Sequence, residues 1–174
     1  MAIVLAAPAS NKIAIRQALM QLAVEEAGVA FPPGSIKFGD WPVPTDLETG
    51  LPYFACGMWS FAGYGTEGQD YRPDWFNARG MRHREIAWNW PLRAIFDFSS
   101  DRAVYQAAYE GADLVTTNWE QTFQEHMAFY DQAGLPLCEN AVGHSLDVGY
   151  MPVGQKEYLY AEIQIIAFEL KVNF

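Results

Sequence analysis

The three histidines are the residues in this sequence best suited to metal binding or acid–base chemistry. They are His83, His126 and His144. A zinc or iron site needs several such ligands that converge on one point, and neither the H-x-x-x-H nor the H-E-x-x-H spacing occurs. His126 lies near the end of a long predicted helix, where the helix dipole favours a histidine. We therefore expect no metal site, although the sequence alone does not decide whether His126 or His144 binds a metal ion.

Two other patterns suggest chemistry but lack the context that it requires. Residues 63–68 match G-x-G-x-x-G, the dinucleotide-binding pattern, which needs a helix directly after it; here Pro73 follows, with no helical apolar period. Cys138 and His144 could pair as nucleophile and base, but their six-residue spacing matches no recognised arrangement. The sequence thus predicts no catalytic residue and no cofactor, and we expect that the protein is not an enzyme.

Aromatic residues between the predicted elements are the remaining candidates for function. Such residues are enriched at protein interfaces and in ligand grooves, although here they could equally close the edge of their own core. The candidate contacts with another subunit or partner are Trp41, Tyr64, Tyr71, Trp75 and Phe76. The alternative is a small-molecule or carbohydrate binding protein, enzymes included, whose stacking platform would be drawn from Trp59, Trp75, Trp88 and Trp90.

The overall composition is globular and acidic. With 174 residues, 51% of them apolar, the chain is predicted to form a single domain over residues 1–174, large enough to fold without metal or disulfide support. With a net charge of −10, the protein lacks the broad basic surface with which a nucleic-acid-binding protein contacts phosphates. Solubility explains the charge, although an acidic surface could also line a passage through which DNA slides without sticking.

The N-terminal stretch lacks the basic region of a secretory signal, and no stretch approaches the roughly 20 apolar residues of a membrane span. We therefore expect no membrane partner. In the absence of a secretory signal, Cys56 and Cys138 are expected to be buried free thiols.

Two amphipathic helices are predicted. The first spans about residues 11–27 and carries an apolar stripe; Gly28 is placed to end it. The second starts at residues 99–101, a strong capping sequence, and its stripe runs from Val104 to Phe123. We expect it to end near residues 130–134, with Gly111 as a position that could divide it.

Strands are predicted at residues 35–38, 53–64 and 82–90, with Pro91 interrupting the last and residues 94–98 continuing it. A short strand at residues 146–152, a turn at Gly154 and Gln155, and a long closing strand over residues 158–174 follow. Residues 61–80 show no apolar period and read as a long aromatic loop inserted in the domain. This order predicts an α+β fold: a mostly antiparallel sheet with the N-terminal and long central helices on one face.

The closing strand changes the phase of its apolar residues. Up to Ile165 they occupy odd positions, and from Ile166 they occupy even ones. Strand side chains alternate between the two faces of a sheet. A bulge is therefore predicted at Ile165 and Ile166, or else a change of packing partner from the long helix to the first helix or a neighbouring subunit.

The layout as a whole resembles the tail terminator (tail completion, minor tail) proteins of long-tailed bacteriophages. The likeness rests on an I-R-x-A-L-x-x-L helix over residues 15–22, a Trp-containing strand, a long central helix and a closing A-E-I-x-I-x-x-F-E-L strand over residues 161–170. It covers most of the chain and lies in the arrangement of elements.

The resemblance implies a structural virion protein in the tail or neck, present in the host cytoplasm during assembly. It implies a homo-oligomeric, hexameric ring that caps the tail tube and joins it to the head connector. The implied partners are the tail-tube protein and the connector or neck proteins, with DNA only as a passing molecule. No catalytic residue, metal or cofactor is implied.

Overall fold

The computed structural model describes residues 12–38, 42–48, 50–58, 60–63, 75–76, 82–124, 127–130 and 136–173. They form three helices and eight strands. The helices are α1 (Lys12–Glu25), α2 (Pro44–Glu48) and α3 (Arg102–Phe123). The strands are β1 (Ile36–Phe38), β2 (Tyr53–Cys56), β3 (Ser60–Gly63), β4 (Trp75–Phe76), β5 (Arg82–Asp97), β6 (Met127–Tyr130), β7 (Pro136–Val153) and β8 (Lys156–Asn173).

All eight strands belong to one sheet. Its order is β1-β2-β5-β8-β7-β6, and β3 and β4 also pair with β5. The β1–β2 pair is parallel, and the other pairs among the described strands are antiparallel. The predicted α+β class is therefore confirmed.

The centre of the sheet is the pairing of β5 with β8. The register runs without a shift from Arg82 opposite Asn173 to Asp97 opposite Tyr158. The prediction that Pro91 interrupts the strand is wrong. The Pro91 carbonyl accepts from Gly57 N–H at 2.9 Å, so the backbone of Pro91 points away from β8. The nitrogen of Pro91 faces Gly57, in the break between β2 and β3, so its missing N–H costs no bond between β5 and β8.

The two faces of the sheet carry different cores. On the first, here called the helix face, α1 and α3 bury Leu19 and Trp119 against alternate residues of β5 and β8. Both predicted helices thus pack on one face. The opposite face, here called the second face, has a smaller core in which Leu47 of α2 lies with Tyr53 and Ile95.

Side chains of α3 hold the C-terminal end of α1. Trp119 Nε1 donates to the Ala23 carbonyl at 2.8 Å, and Asn118 Nδ2 donates to the Ala27 carbonyl at 3.2 Å. The last carbonyl groups of a helix have no N–H donor within the helix, so side chains of α3 supply the donors. Gly28 ends α1 at φ +76°, and a Cβ there would lie 2.2 Å from Asn118. Glycine therefore serves both the left-handed cap and the close approach.

The long helix begins as predicted but ends early. Asp101 caps it by accepting from Ala103 N–H at 2.8 Å and Val104 N–H at 3.3 Å. Gly111 does not divide the helix; a Cβ there would lie 2.7 Å from the Phe96 ring, so glycine lets α3 approach β5. The predicted end near residues 130–134 is wrong, because the helical stripe stops at Phe123 and residues 127–130 form β6.

The predicted bulge within the closing strand at Ile165 and Ile166 is also wrong. Odd-numbered residues of β8 stay buried on the helix face through Ile165 and Ala167. Ile166 lies on the second face, opposite Asn89 and Val142, so the strand keeps its register here. The alternative, a change of packing partner from Ile166 onward, stays a prediction. The register shift occurs in the neighbouring strand: β7 is irregular between Gly143 and Ser145, opposite Ile165 and Gln164. His144 is the extra residue.

Two predicted strands have different bounds in the structure. The strand predicted for residues 53–64 is two strands, β2 and β3, separated where the chain passes Pro91. The strand predicted for residues 146–152 is the end of the 18-residue β7. The turn at Gly154, with φ +66°, joins β7 to β8 as expected. Within residues 61–80, the described positions belong to β3 and β4, and the single-domain organisation stays a prediction.

Asp101→Ala should lower the free energy of unfolding by about 1 kcal/mol, because the amides of Ala103 and Val104 lose their acceptor. Asp101→Asn keeps an acceptor oxygen and should lose far less. Urea denaturation of both variants measures the difference. Equal losses would show that the carboxylate charge, and not the cap hydrogen bonds, stabilises the helix.

Candidate functional site

The predicted contact residues are placed only in part. Trp41, Tyr64 and Tyr71 lie outside the described residues, as do Trp59 and His126. Trp75 and Phe76 form β4, whose backbone pairs with His83 and Arg82 at the start of β5. This segment of the aromatic loop therefore joins its own sheet, and its role as a partner contact stays a prediction.

Trp88 and Trp90 do not form an open stacking platform. Trp90 is 1% exposed and Trp88 is 8% exposed, and both belong to the core on the helix face. Lys12 Nζ lies 4.4 Å from the centre of the Trp88 ring, which covers that ring further. These two residues are structural, since a stacking platform needs an accessible ring face.

The cysteines and His144 do not combine into a catalytic site. Cys138 and His144 lie on the same strand, β7, and six residues of extended chain span about 20 Å. Cys138 is 1% exposed, and burial raises the pKa of the Cys56 thiol to about 12. Both are free thiols, as predicted. Among the described residues, no group of three His, Cys, Asp or Glu side chains could hold a metal ion.

One edge of the sheet is open along the second half of β7. Strand β6 pairs with β7 only as far as Ala141, and no other described strand pairs with this side of β7 from residue 142 to residue 153. Three large apolar side chains point to the helix face here: Leu146, Val148 and Tyr150 are between 40% and 47% exposed. An unpaired strand edge with exposed apolar side chains is a template for a partner strand.

An aromatic cluster stands beside this edge. Phe98 lies 4.9 Å from Tyr150 and 5.6 Å from Tyr105, and Tyr105 lies 4.6 Å from Tyr109 between ring centres. The hydroxyls of Tyr109 and Tyr150 contact each other, which raises the pKa of Tyr109. Strand β7 is thereby fixed to the start of α3, while much of the Tyr150 ring remains in solvent.

The other edge of the sheet is the short strand β1, which is exposed throughout. Ile36 is 41% and Phe38 is 40% exposed. The Arg16 guanidinium lies over the Phe38 ring at 3.2 Å, and Lys37 lies between the two apolar residues. This edge therefore combines exposed apolar side chains with basic ones.

A polar network crosses the second face at the level of the bulge. His144 contacts Asn89 at 3.2 Å, Asn89 donates to Gln164 at 2.7 Å, and Gln164 donates to Glu162 at 3.0 Å. Glu162 also accepts two hydrogen bonds from Arg93, one from Nε at 2.8 Å.

The same network continues to the edge strand. The Arg93 guanidinium stacks on the Tyr160 ring at 4.3 Å, and Tyr160 donates to Asp147 at 3.0 Å. A Cβ at Gly149 would lie 2.8 Å from the Tyr160 hydroxyl, so glycine makes room for that ring. Asp147 is thus held in a defined position on the second face of β7.

A shallow cleft of 260 Å³ lies where the end of α3 meets the bulge. Glu120, Phe123, His144 and Leu146 line it. A Cβ at Gly143 would lie 2.9 Å from Ile163 and 3.2 Å from Phe123, so glycine permits the helix end to approach the strand. Glu120 of α3 and Leu146 of β7 thus line the same cleft.

No family model matches the chain, and no curated protein matches it significantly. Among the described helices, none is long and apolar enough to cross a membrane.

The open edge of β7 is not among the sites that the sequence predicted. The sequence predicted only a short strand over residues 146–152, which is the end of β7. Which side of that strand stays unpaired depends on the order of strands in the sheet, and no local pattern encodes that order.

Ellman's reagent at about pH 8 should react with neither thiol of the folded protein and with both in concentrated guanidinium chloride. Only the thiolate reacts, burial keeps Cys56 protonated until the pH approaches 12, and Cys138 is inaccessible. Absorbance of the released thionitrobenzoate counts the reactive thiols. Rapid reaction of either thiol without denaturant would contradict the buried placement.

Arg93→Met should lower the free energy of unfolding by about 3 kcal/mol, because it leaves the Glu162 carboxylate buried without its main partner. The double variant Arg93→Met, Glu162→Leu should recover most of this loss, since no unpaired charge remains. Urea denaturation of the two single variants and the double variant completes the cycle. Losses that simply add would show that the two side chains are not energetically coupled.

Proposed function

We propose that this protein is a structural subunit that assembles with copies of itself, in the manner of the phage tail terminator proteins whose arrangement of elements it resembles. In this proposal it forms a ring, with six as the expected number of subunits, that caps the tail tube and joins it to the head connector. The protein would reside in the tail or neck of the virion, after assembly in the host cytoplasm.

The observation that carries the proposal is the open edge of β7. Folded chains usually protect such an edge with charge, proline or a covering element. Here the edge presents Leu146, Val148 and Tyr150 on one face, with the aromatic cluster behind them. A subunit whose normal state is an assembly needs no such protection, because its neighbour covers the edge.

Two further features support a structural role. Among the described residues, the largest polar network, which joins His144, Arg93, Glu162, Tyr160 and Asp147, ties β5, β7 and β8 together and lies across the sheet. The net charge of −10 also suits a component through which DNA passes, since like charges prevent adhesion.

Mass photometry of the purified protein, alone and mixed with tail-tube protein, tests the proposal. We expect a discrete ring species alone, or a complex with the tube. A protein that stays monomeric at every concentration and binds neither tube nor connector would contradict the proposed function.

Val148→Asp should shift the population toward monomer, by at least tenfold in the apparent dissociation constant, because it places a charge in an apolar contact. Its side chain is already 42% exposed, so the monomer should keep its melting temperature within a few degrees. Met58→Asp, at a position 54% exposed between β2 and β3, is the matched control and should assemble normally. Equal assembly by both variants would remove the β7 edge from the interface.

A further inference from the structure

We propose that the open edge of β7 in one copy pairs with β1 of the next copy, antiparallel and head to tail, with Lys37 opposite Asp147. This inference rests on the proposed function and names the surfaces that join the subunits. It makes the sheet continuous from one copy to the next.

The two edges lie at the same level of the sheet. Along the register from strand to strand, Lys37 aligns with Ala55, Arg93, Glu162 and Asp147. In the same way Ile36 aligns with Val148, and Phe38 aligns with Leu146. A neighbour placed beside the sheet, without sliding along the strands, therefore brings these three pairs together.

Strand direction makes the pairing antiparallel. Strand β5 is antiparallel to both β2 and β8, β8 is antiparallel to β7, and β1 is parallel to β2. Strand β1 consequently runs opposite to β7. Two antiparallel edge strands can pair directly. In such a pair the residue numbers rise along one strand as they fall along the other, as they do in the residue pairs 36–148, 37–147 and 38–146.

The backbone groups also match. Gly57 donates to Pro91, and Phe54 donates to Ser35. Successive residues of a strand point their N–H and C=O groups to opposite sides, so these bonds fix the direction of every other residue in the ladder. Ile36 and Phe38 then point outward from β1, and Leu146 and Val148 point outward from β7. The residues that face each other in the proposed pairing are thus those whose outward N–H and C=O groups no other described strand pairs.

The directions of the side chains on both faces of the sheet also fit the proposed pairing. Phe54 and Cys56 lie in the core on the helix face, so their partners Ile36 and Phe38 point to that face, as Leu146 and Val148 do. The pairing would cover four exposed apolar side chains in one row. Lys37 and Asp147 both point to the second face.

Charge selects this arrangement over its alternatives. Lys37 would meet Asp147 on the second face. On the helix face, Arg16 beside Phe38 would meet Glu120, which lines the cleft beside Leu146. Pairing of two β7 edges around Asp147 would instead oppose two carboxylates, which destabilises a cross-strand pair. A second copy of this chain presented by its β1 edge is therefore the occupant.

Disulfide trapping tests the register. Lys37 and Asp147 form a non-hydrogen-bonded pair, in which the Cα atoms lie about 4.5 Å apart, within the range of a disulfide. In one chain they are separated by four strand spacings, or about 19 Å along the sheet. The double variant Lys37→Cys, Asp147→Cys, oxidised with diamide, should give a ladder of covalent oligomers on a non-reducing gel.

The single variants are the matched controls. Lys37→Cys and Asp147→Cys alone should remain monomeric on the gel, and a mixture of the two should give a covalent dimer and nothing larger. Wild type should give no ladder, since Cys56 and Cys138 are buried. A dimer from Asp147→Cys alone would overturn the proposal in favour of β7–β7 pairing.

Charge exchange provides a second test that needs no oxidant. Lys37→Asp and Asp147→Lys should each weaken assembly at least tenfold, and the double exchange should restore it to within a few-fold of wild type. Sedimentation velocity at low and high salt follows the species. Absence of rescue, with both single variants impaired, would overturn the Lys37–Asp147 contact.

The outcomes separate this inference from the proposed function. Rings that form without the covalent ladder would overturn the β1–β7 contact and leave the ring proposal standing. A chain that stays monomeric in every measurement, with and without tail-tube protein, would overturn both.

Discussion

The continuous pairing of β5 with β8 is the constraint on which the rest of the structure depends. Sixteen residues of β5 face β8 in one unbroken register. That register places Trp90 and Ile165 under the helices and Arg93 and Glu162 on the other face. The other strands join this pair directly or through a neighbouring strand. The register between β5 and β8 therefore sets which residues of β1 and β7 lie at the same height on the two edges of the sheet.

Two local features protect the register. Pro91 would weaken most central strands, but its backbone points to the break between β2 and β3 and costs β5 no bond with β8. The extra residue at His144 lies in β7, so β8 keeps a regular register with β5. Glycine at position 143 then leaves space for Phe123. Irregularity is confined to the outer strands.

Much of this fold could be predicted from the sequence, because its strongest signals are local. The cap at Asp101, the stripe from Val104 to Phe123 and the turn at Gly154 all act through neighbouring residues. The wrong predictions depend on contacts between residues that are far apart in the sequence. The chemistry of Pro91 alone does not show which side of the strand its nitrogen faces. The alternation around Ile166 predicts a bulge in β8, but the pairing with β5 and β7 shows that the bulge lies in β7. The open edge of β7 depends on the order of strands in the sheet, which no local pattern encodes.

The coincidence of β1 and β7 at one level of the sheet has a consequence for symmetry. Subunits joined by two different edges all point the same way around a ring, unlike subunits joined by one edge to its own copy. Such a ring has two unlike rims, one formed by the β7–β8 turn end of every subunit and the other by the opposite strand ends. Each rim can then recognise a different neighbour, so a single protein could close one structure and receive another.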